Sequence, residues 1–526
     1  MRKEFGYDII IIGFIVGFGV NSQIWYFGGN MKNSSKVDLF KLLLFPAICL
    51  LVAGLFMALS NKPDMDCYYM AARGEYIWKN HSLPTENVFL MHDGFKLVVQ
   101  QWLFCLLCYF VLHTFGDSGV LIMIGFSYIA IICTLSLYIW SHTKDIMKSV
   151  VITAPFAYLV AHFSQFRPFF IDIIVMFVLM WCLEKYKSTK NINYLLGLPL
   201  LSMVYINFHS SFWCFLFIIT LPYLIPDERF GDRDIFEYLY DWFNEVKLIF
   251  ATMFGMFLFG FINPNGVKSV LYPQTFNLKT LRLTIAEMRR IKFTDSLFIY
   301  VIIAIVVLLL SIKMAYNDIS KTYIVFLTAG TIVLSLFAKR NLWFLLLSFG
   351  AYSGTYFSQH RDSISLQKSK WYWLKYCMTV VISIFILFIS VVGMTVKVCD
   401  NAEMPKAALK YLQTNESSKD ISIYCMSEAG SYFEFYGYKP YDDTCFEMLF
   451  YNTNGVRDIH IESISALIGQ IDVRDFLDYY DFDYLVVAND LYQIDNIKPV
   501  VEDDTNYELV LMTDTYWFYK NVNKEM

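Results

Sequence analysis

Charge is what this sequence has least of. Asp, Glu, Lys and Arg make up 17% of its 526 residues, against about 25% in an ordinary soluble protein. Hydrophobic residues reach 57%, and the mean hydropathy is +0.45. That balance excludes a soluble enzyme, a disordered chain and a collagen-like one. No glycine-rich nucleotide-binding loop occurs. No compact basic patch with interleaved aromatics occurs either, which argues against a nucleic-acid partner. The 11 cysteines lack metal-ligand spacing. Cys105 and Cys108 form a CxxC inside an apolar run and read as packing. Cys425 and Cys445 could meet if the tail is extracytoplasmic.

What is present is a series of apolar runs, each long enough for a bilayer core of about 30 Å. They cover 7–28, 39–60, 118–140, 147–164, 168–186, 194–208, 210–226, 246–262, 296–315, 322–338, 340–357 and 373–396. The first lacks a small-residue cleavage site and reads as an anchor rather than a signal peptide. The expected architecture is an α-helical polytopic membrane protein with about 12–13 spans. A further stretch, 97–115, is ambiguous, because it carries Gln100, Gln101, Trp102 and His113.

Charge is also unevenly placed. After Val396 there are 10 Lys/Arg and 24 Asp/Glu; before Lys397 there are 32 and 23. A basic membrane body, 1–396, is followed by an acidic tail, 397–526. Pro405–Gln413 and Ser463–Gln470 read as helices, and Ile421–Cys425, Tyr484–Val487 and Leu509–Met512 as strands, so the tail is expected to be a small α/β domain. Within it, Tyr441-Asp442-Asp443 reads as a solvated turn more readily than as an acceptor contact.

Lys/Arg in short loops mark the cytoplasmic side. Alternate loops carry Lys144 and Lys148; Lys185, Lys187 and Lys190; Arg229 and Arg233; Lys313 and Lys321; and Arg361, Lys368, Lys370 and Lys375. The opposite short loops carry only Arg167, Lys339 and Arg340. The second set and the tail should then face outward, at the cell (inner) membrane. If 97–115 lies along the interface, 61–117 is one long outer loop.

That assignment gathers the polar residues on one rim. Asp64 and Asp66 open the long loop, and Asp66, Met70 and Arg73 share a helix face. Gln101 and Trp102 follow in the same loop. Arg167 and Asp172 mark another outer end, and Asn207 and His209 a short outer connection. Glu287 lies in the loop 263–295, and Lys339, Arg340 and Asn341 in the last short turn. Carboxylates beside cations at a lipid–water boundary suit chemistry on a lipid-linked phosphate. The carboxylate would act as general base, and the cations would offset charge on the leaving phosphate.

The order of motifs resembles a family. Asp-x-Tyr-Tyr at Asp66, Leu83-Pro84-Thr85-x-Asn87, Gln101-Trp102-Leu103, Asn207-x-His209, Asn263-Pro264-x-Gly266 with downstream Glu287, and Arg340-Asn341 are similar to bacterial polytopic proteins of the GT-C glycosyltransferase superfamily. Within it they look like the protein mannosyltransferase and aminoarabinose transferase-like group. The resemblance implies a polyprenyl-phosphate sugar donor, inverting transfer to an outer-face glycan, lipid or protein, and a first outer loop carrying interfacial helices. It makes Asp66 the first choice for the base and Asp64 the second. It makes Arg340 and His209 candidates for the donor phosphate, and Glu287, Asn207 and Gln101 for sugar or acceptor. Arg73, Trp102, Arg167 and Asn341 complete the expected substrate-binding set. Asp64 and Asp66 could also hold a divalent cation, although no third ligand is evident. The chain departs from relatives where Ser210-Ser211 follows His209 and where Met288 follows Glu287. A transporter or flippase of a lipid-linked glycan and a non-catalytic envelope-assembly protein are the competing readings.

Overall fold

A computed structural model describes residues 37–61, 63–227, 234–272, 285–360, 365–366, 371–393, 400–450 and 454–524. The expected span 7–28 lies outside them. Seven of the described helices are long and apolar enough to cross a membrane. They include α1 (Leu39–Ser60), α4 (Ser118–Thr143), α7 (Ile235–Phe259), α8 (Phe298–Asn317) and α11 (Tyr372–Gly393). The others are the run Ile146–Phe163, interrupted by a 3₁₀ turn at Pro155, and Ile319–Phe337, most of which is α9 (Thr322–Phe337). Helix α5 (Phe169–Thr189) is continuous but carries Asp172, Glu184, Lys185 and Lys187. The stretch 193–224 is broken into short helices, among them α6 (Leu198–Phe208). Helix α10 (Leu345–Gln359) follows a 3₁₀ turn at Lys339–Phe344.

The long loop folds into a helical hairpin of α2 (Asp66–Asn80) and α3 (Trp102–Phe115). Asp64 Oδ1 accepts from the Asp66 N–H at 3.2 Å and starts α2. Gly74 lets the two helices touch: a Cβ there would lie 2.1 Å from the Cys105 carbonyl oxygen. The 14 residues of α3, at about 1.5 Å per residue, reach about 21 Å, short of a bilayer core.

Residues 400–524 form the small domain. Its sheet has the order β2-β1-β3-β5-β4, where β1 is Ser422–Tyr424, β2 Lys439–Pro440, β3 Tyr484–Ala488, β4 Tyr507–Met512 and β5 Tyr516–Asn521. β1 runs parallel to β2 and β3; β5 is antiparallel to β3 and β4. Helices α12 (Lys406–Asn415), α13 (Ser427–Phe435), α14 (Ile459–Leu467) and α15 (Val473–Tyr480) pack with it. The sequence reading found α12, β1, β3, β4 and α14; it missed α13, α15, β2 and β5. Cys425 and Cys445 are both free, as are all described cysteines, so the expected bridge is absent.

This domain is clamped to the α2–α3 hairpin. Arg73, 3% exposed, donates to Cys445 Sγ at 2.9 Å and to Asp443 Oδ2 at 3.3 Å, and stacks on Tyr69 at 4.5 Å. Tyr68 sits against Tyr432 and Phe435. His92 Nε2 lies 2.7 Å from the Tyr441 carbonyl. Tyr441, Asp442 and Asp443 are buried, which overturns the solvated-turn expectation. Each acid has one partner: Arg73 bonds Asp443 from across the interface, and within the domain His460 pairs with Asp442 Oδ2 at 2.7 Å. Burial, with the Asp443 charge beside it, pushes the neighbouring Glu434 carboxyl well above its usual range, against the pull of Arg73. One guanidinium can therefore serve two buried acids.

The far end of the helical body holds a second polar knot. Glu184 Oε1 accepts from Tyr138 at 2.6 Å and from Tyr223 and Tyr323 at 3.2 Å each, while Oε2 lies 2.9 Å from His142 Nε2. Glu184 follows Arg167 by 17 positions, about 25 Å along a helix. A buried carboxylate is tolerated only with such a donor set. Two outcomes follow. Glu184→Ala should cost about 3–5 kcal/mol, because four donors lose their acceptor, read as a lower thermal midpoint in detergent, with Glu184→Gln less affected. Arg73→Ala should accelerate proteolytic cleavage of the small domain under native conditions and leave cleavage of the helical body unchanged.

Candidate active site

Four of the sequence-selected residues meet. Arg167 stands in the turn before α5, whose N-cap is Pro168; the Ile171 and Asp172 N–H groups bond the Pro168 carbonyl at 2.8 and 3.2 Å. The turn aims the guanidinium at three carboxylates. Nη1 lies 2.7 Å from Glu287 Oε1, Nη2 lies 2.9 Å from Asp66 Oδ2 and 3.0 Å from Asp64 Oδ1, and Nε contacts Asp64 Oδ2. The carboxylates come from the start of the hairpin and from a 3₁₀ turn at Ala286–Met288. That turn is pinned twice. The Lys339 N–H donates to the Arg289 carbonyl at 2.9 Å, and Met288 packs on Phe450 of the small domain.

The acids respond differently to this crowding. Burial pushes the Asp66 carboxyl well above its usual range; Arg167 opposes the shift, and the Asp64 and Glu287 charges add to it. The Thr444 hydroxyl of the small domain lies near Asp66 and also opposes the shift. Glu287, a third exposed, is held below its usual value: burial would raise it, but Arg167 and Arg340 outweigh that. Two carboxyls on one guanidinium are thus driven apart, the pattern that separates a proton-accepting group from a permanently charged one.

The other expected residues make contacts of their own. His209 Nδ1 lies 2.9 Å from both oxygens of the buried Asp172, which also accepts from Tyr205 at 3.0 Å. The carboxylate selects the tautomer with its proton on Nδ1. Arg340 lies 5.0 Å over the Phe212 ring, which packs against the His209 ring at 4.9 Å. Trp102 Nε1 donates to Asn207 Oδ1 at 2.6 Å, and Asn207 Nδ2 to the Ile262 carbonyl at 3.0 Å. Gln101 Nε2 reaches the Tyr69 hydroxyl at 3.4 Å. Asn341 Nδ2 bonds the Leu334 carbonyl at 3.1 Å. Arg73 is drawn away into the domain clamp, so its shared face with Asp66 does not bring it to the carboxylate cluster.

Sequence reasoning gave no role to Asp172 or Thr444. Asp172 carried a signal, an acid just inside an apolar run. Thr444 carried none, because its relation to Asp66 exists only once the small domain docks. Among the described residues, no group of three or more His, Cys, Asp or Glu is spaced to hold a metal ion.

No family model and no curated protein matches the chain at the sequence level. Solved structures do. The apo form of an oligosaccharyltransferase from Archaeoglobus fulgidus matches with a TM-score of 0.56 at 11% identity, over 92% of this chain and 74% of that one. The archaeal oligosaccharyltransferase AglB from the same organism, in complex with an inhibitory peptide and a dolichol-phosphate, gives 0.50 at 12% identity over 93% and 75%. A complex of the A. fulgidus oligosaccharyltransferase with Zn and sulfate gives 0.50 at 10% identity over 90% and 73%. Over nine-tenths of its length, this chain therefore shares the fold of those archaeal oligosaccharyltransferase structures.

Proposed function

We propose that this chain is a membrane glycosyltransferase that moves a sugar from a polyprenyl-phosphate donor to an extracytoplasmic acceptor. The observation that carries the reading is the cluster of Asp64, Asp66, Arg167 and Glu287, built from three distant segments at one end of an apolar body. The dolichol-phosphate held by a protein of the same fold supports a lipid-linked donor here.

In this mechanism Asp66 is the general base. It takes a proton from an acceptor hydroxyl or amide as the bond to the anomeric carbon forms. The bond from that carbon to the phosphate oxygen breaks on the opposite side, so the configuration inverts. The departing phosphate carries negative charge, which Arg340 would offset. The outward Nε2 of His209 would donate to it in the imidazolium form, which the Asp172 carboxylate at Nδ1 stabilises. Glu287 keeps its charge and holds Arg167 in place, and Gln101, Trp102 and Asn207 border the sugar or acceptor. The acidic small domain lies over the carboxylate cluster through Thr444 and Phe450 and faces the outside together with it.

A transporter would place its ionisable groups and broken helices near mid-membrane. Here Asp64 and Asp66 open a helix, Arg167 precedes one and Arg340 sits in a turn, which favours a site at the boundary. The test is sugar release from radiolabelled polyprenyl-phosphate hexoses by the full-length protein in vesicles. Asp66→Asn should lower turnover at least about a hundredfold, and Arg340→Ala should weaken donor binding more than Asn341→Ala. Equal turnover in wild type and Asp66→Asn would reject the base assignment. An unchanged envelope glycan and lipid profile in a deletion strain would count against transfer altogether.

A further inference from the structure

The carboxylate cluster poses a question of charge. Asp64 and Asp66 side chains are 8% and 15% exposed, and Glu287 33%. Three acids this close need a compensating cation. A divalent ion is the obvious candidate, and the fold has been solved with Zn. We propose instead that Arg167 is the resident cation of this site: its guanidinium occupies the space among Asp64, Asp66 and Glu287 that a divalent ion would take, and the site operates without a bound metal.

The geometry supports this in three ways. First, each guanidinium nitrogen is used: Nη1 on Glu287, Nη2 on Asp66 and Asp64, Nε on Asp64. Each of the three acids already has an oxygen turned to the guanidinium. A hard cation needs oxygens at about 2.0–2.6 Å, so the carboxylates would have to turn away from Arg167 first. Second, Arg167 enters from a fixed point. Its backbone immediately precedes Pro168 and the first turn of α5, so it does not swing in from a mobile loop. Third, the displaced guanidinium would itself be left charged beside the new ion, and like charges at short range in a partly buried site repel strongly. Part of the charge that one guanidinium leaves unbalanced is met by Arg340, which acts on Glu287. The planar fork of arginine suits such a role better than a point charge does.

This inference deepens the transferase reading but rests on it only for the chemistry performed; the arrangement of charge is tested without any substrate. The probe is Mn²⁺, titrated into full-length protein in detergent and followed by the loss of its free-ion electron paramagnetic resonance signal. Site uptake is the part removed by Asp66→Asn, which discounts loose binding to the acidic domain. Wild type should show no site uptake. Arg167→Gln should gain it, and Asp66→Asn added to Arg167→Gln should abolish it. Arg167→Lys should fold and, keeping a positive charge, stay without it. Site uptake by wild type would overturn the proposal, and so would a monodisperse, folded Arg167→Gln protein that takes up none. If Arg167→Gln does not fold, wild type against Asp66→Asn decides alone. Sugar transfer that survives exhaustive chelation would agree with the proposal, and transfer abolished by chelation and restored by Mn²⁺ would overturn it. A wild-type protein with no transfer but the expected Mn²⁺ pattern would leave the charge assignment standing and reject the transferase reading.

Discussion

The pairing of Arg167 with three carboxylates is the constraint on which the site depends. Two like charges about 4 Å apart repel by about 4 kcal/mol in a medium of intermediate dielectric. Three acids would not stay together without a cation among them. The guanidinium makes the assembly possible and joins three segments that the chain keeps far apart: position 167 lies 103 residues from Asp64 and 120 from Glu287. Every other feature of this end of the molecule either fixes one of these partners or surrounds them.

The small domain belongs to that surrounding structure. It touches the hairpin through Arg73 and Tyr68, the Glu287 turn through Phe450, and Asp66 through Thr444. Gly430 allows the approach, since a Cβ there would fall 1.7 Å from the Asp442 carbonyl oxygen. Helix α13 and the segment 442–445 thus form a unit whose outer edge meets the hairpin. The domain contributes side chains to the acidic cluster as well as covering it.

Much of this was legible beforehand and some was not, for physical reasons. Loop charges placed Asp64, Asp66, Arg167 and Glu287 on one rim, because the penalty for burying charge in lipid restricts where such residues can sit. Periodicity found α12, β1 and β3, whose apolar positions face a core. The failures share one cause: a residue's exposure depends on what docks against it. Asp442 and Asp443 look solvated by composition, yet they are buried because Arg73 arrives from another element. Cys67 through Gly74 are buried on every side of α2, so the face shared by Asp66 and Arg73 serves two different neighbours. Glu184 lies at the end of an apolar run and drew no notice in the sequence, and its three tyrosine donors come from segments with no common spacing.

The two buried polar knots make the functional argument by contrast. At Glu184, one carboxylate meets four donors, three of them neutral hydroxyls, and both of its oxygens are engaged. Such a centre is closed: charge and hydrogen-bonding capacity are matched, and nothing is left to react. At Arg167 the ratio is reversed, with three acids around one cation and a second cation acting from the rim. Proton affinity there is unevenly divided between Asp66 and Glu287, and one acid remains partly open to solvent. A structural knot gains nothing from that imbalance, and it costs stability to maintain. A site that must accept a proton from an incoming group, while keeping fixed charge beside it, requires it.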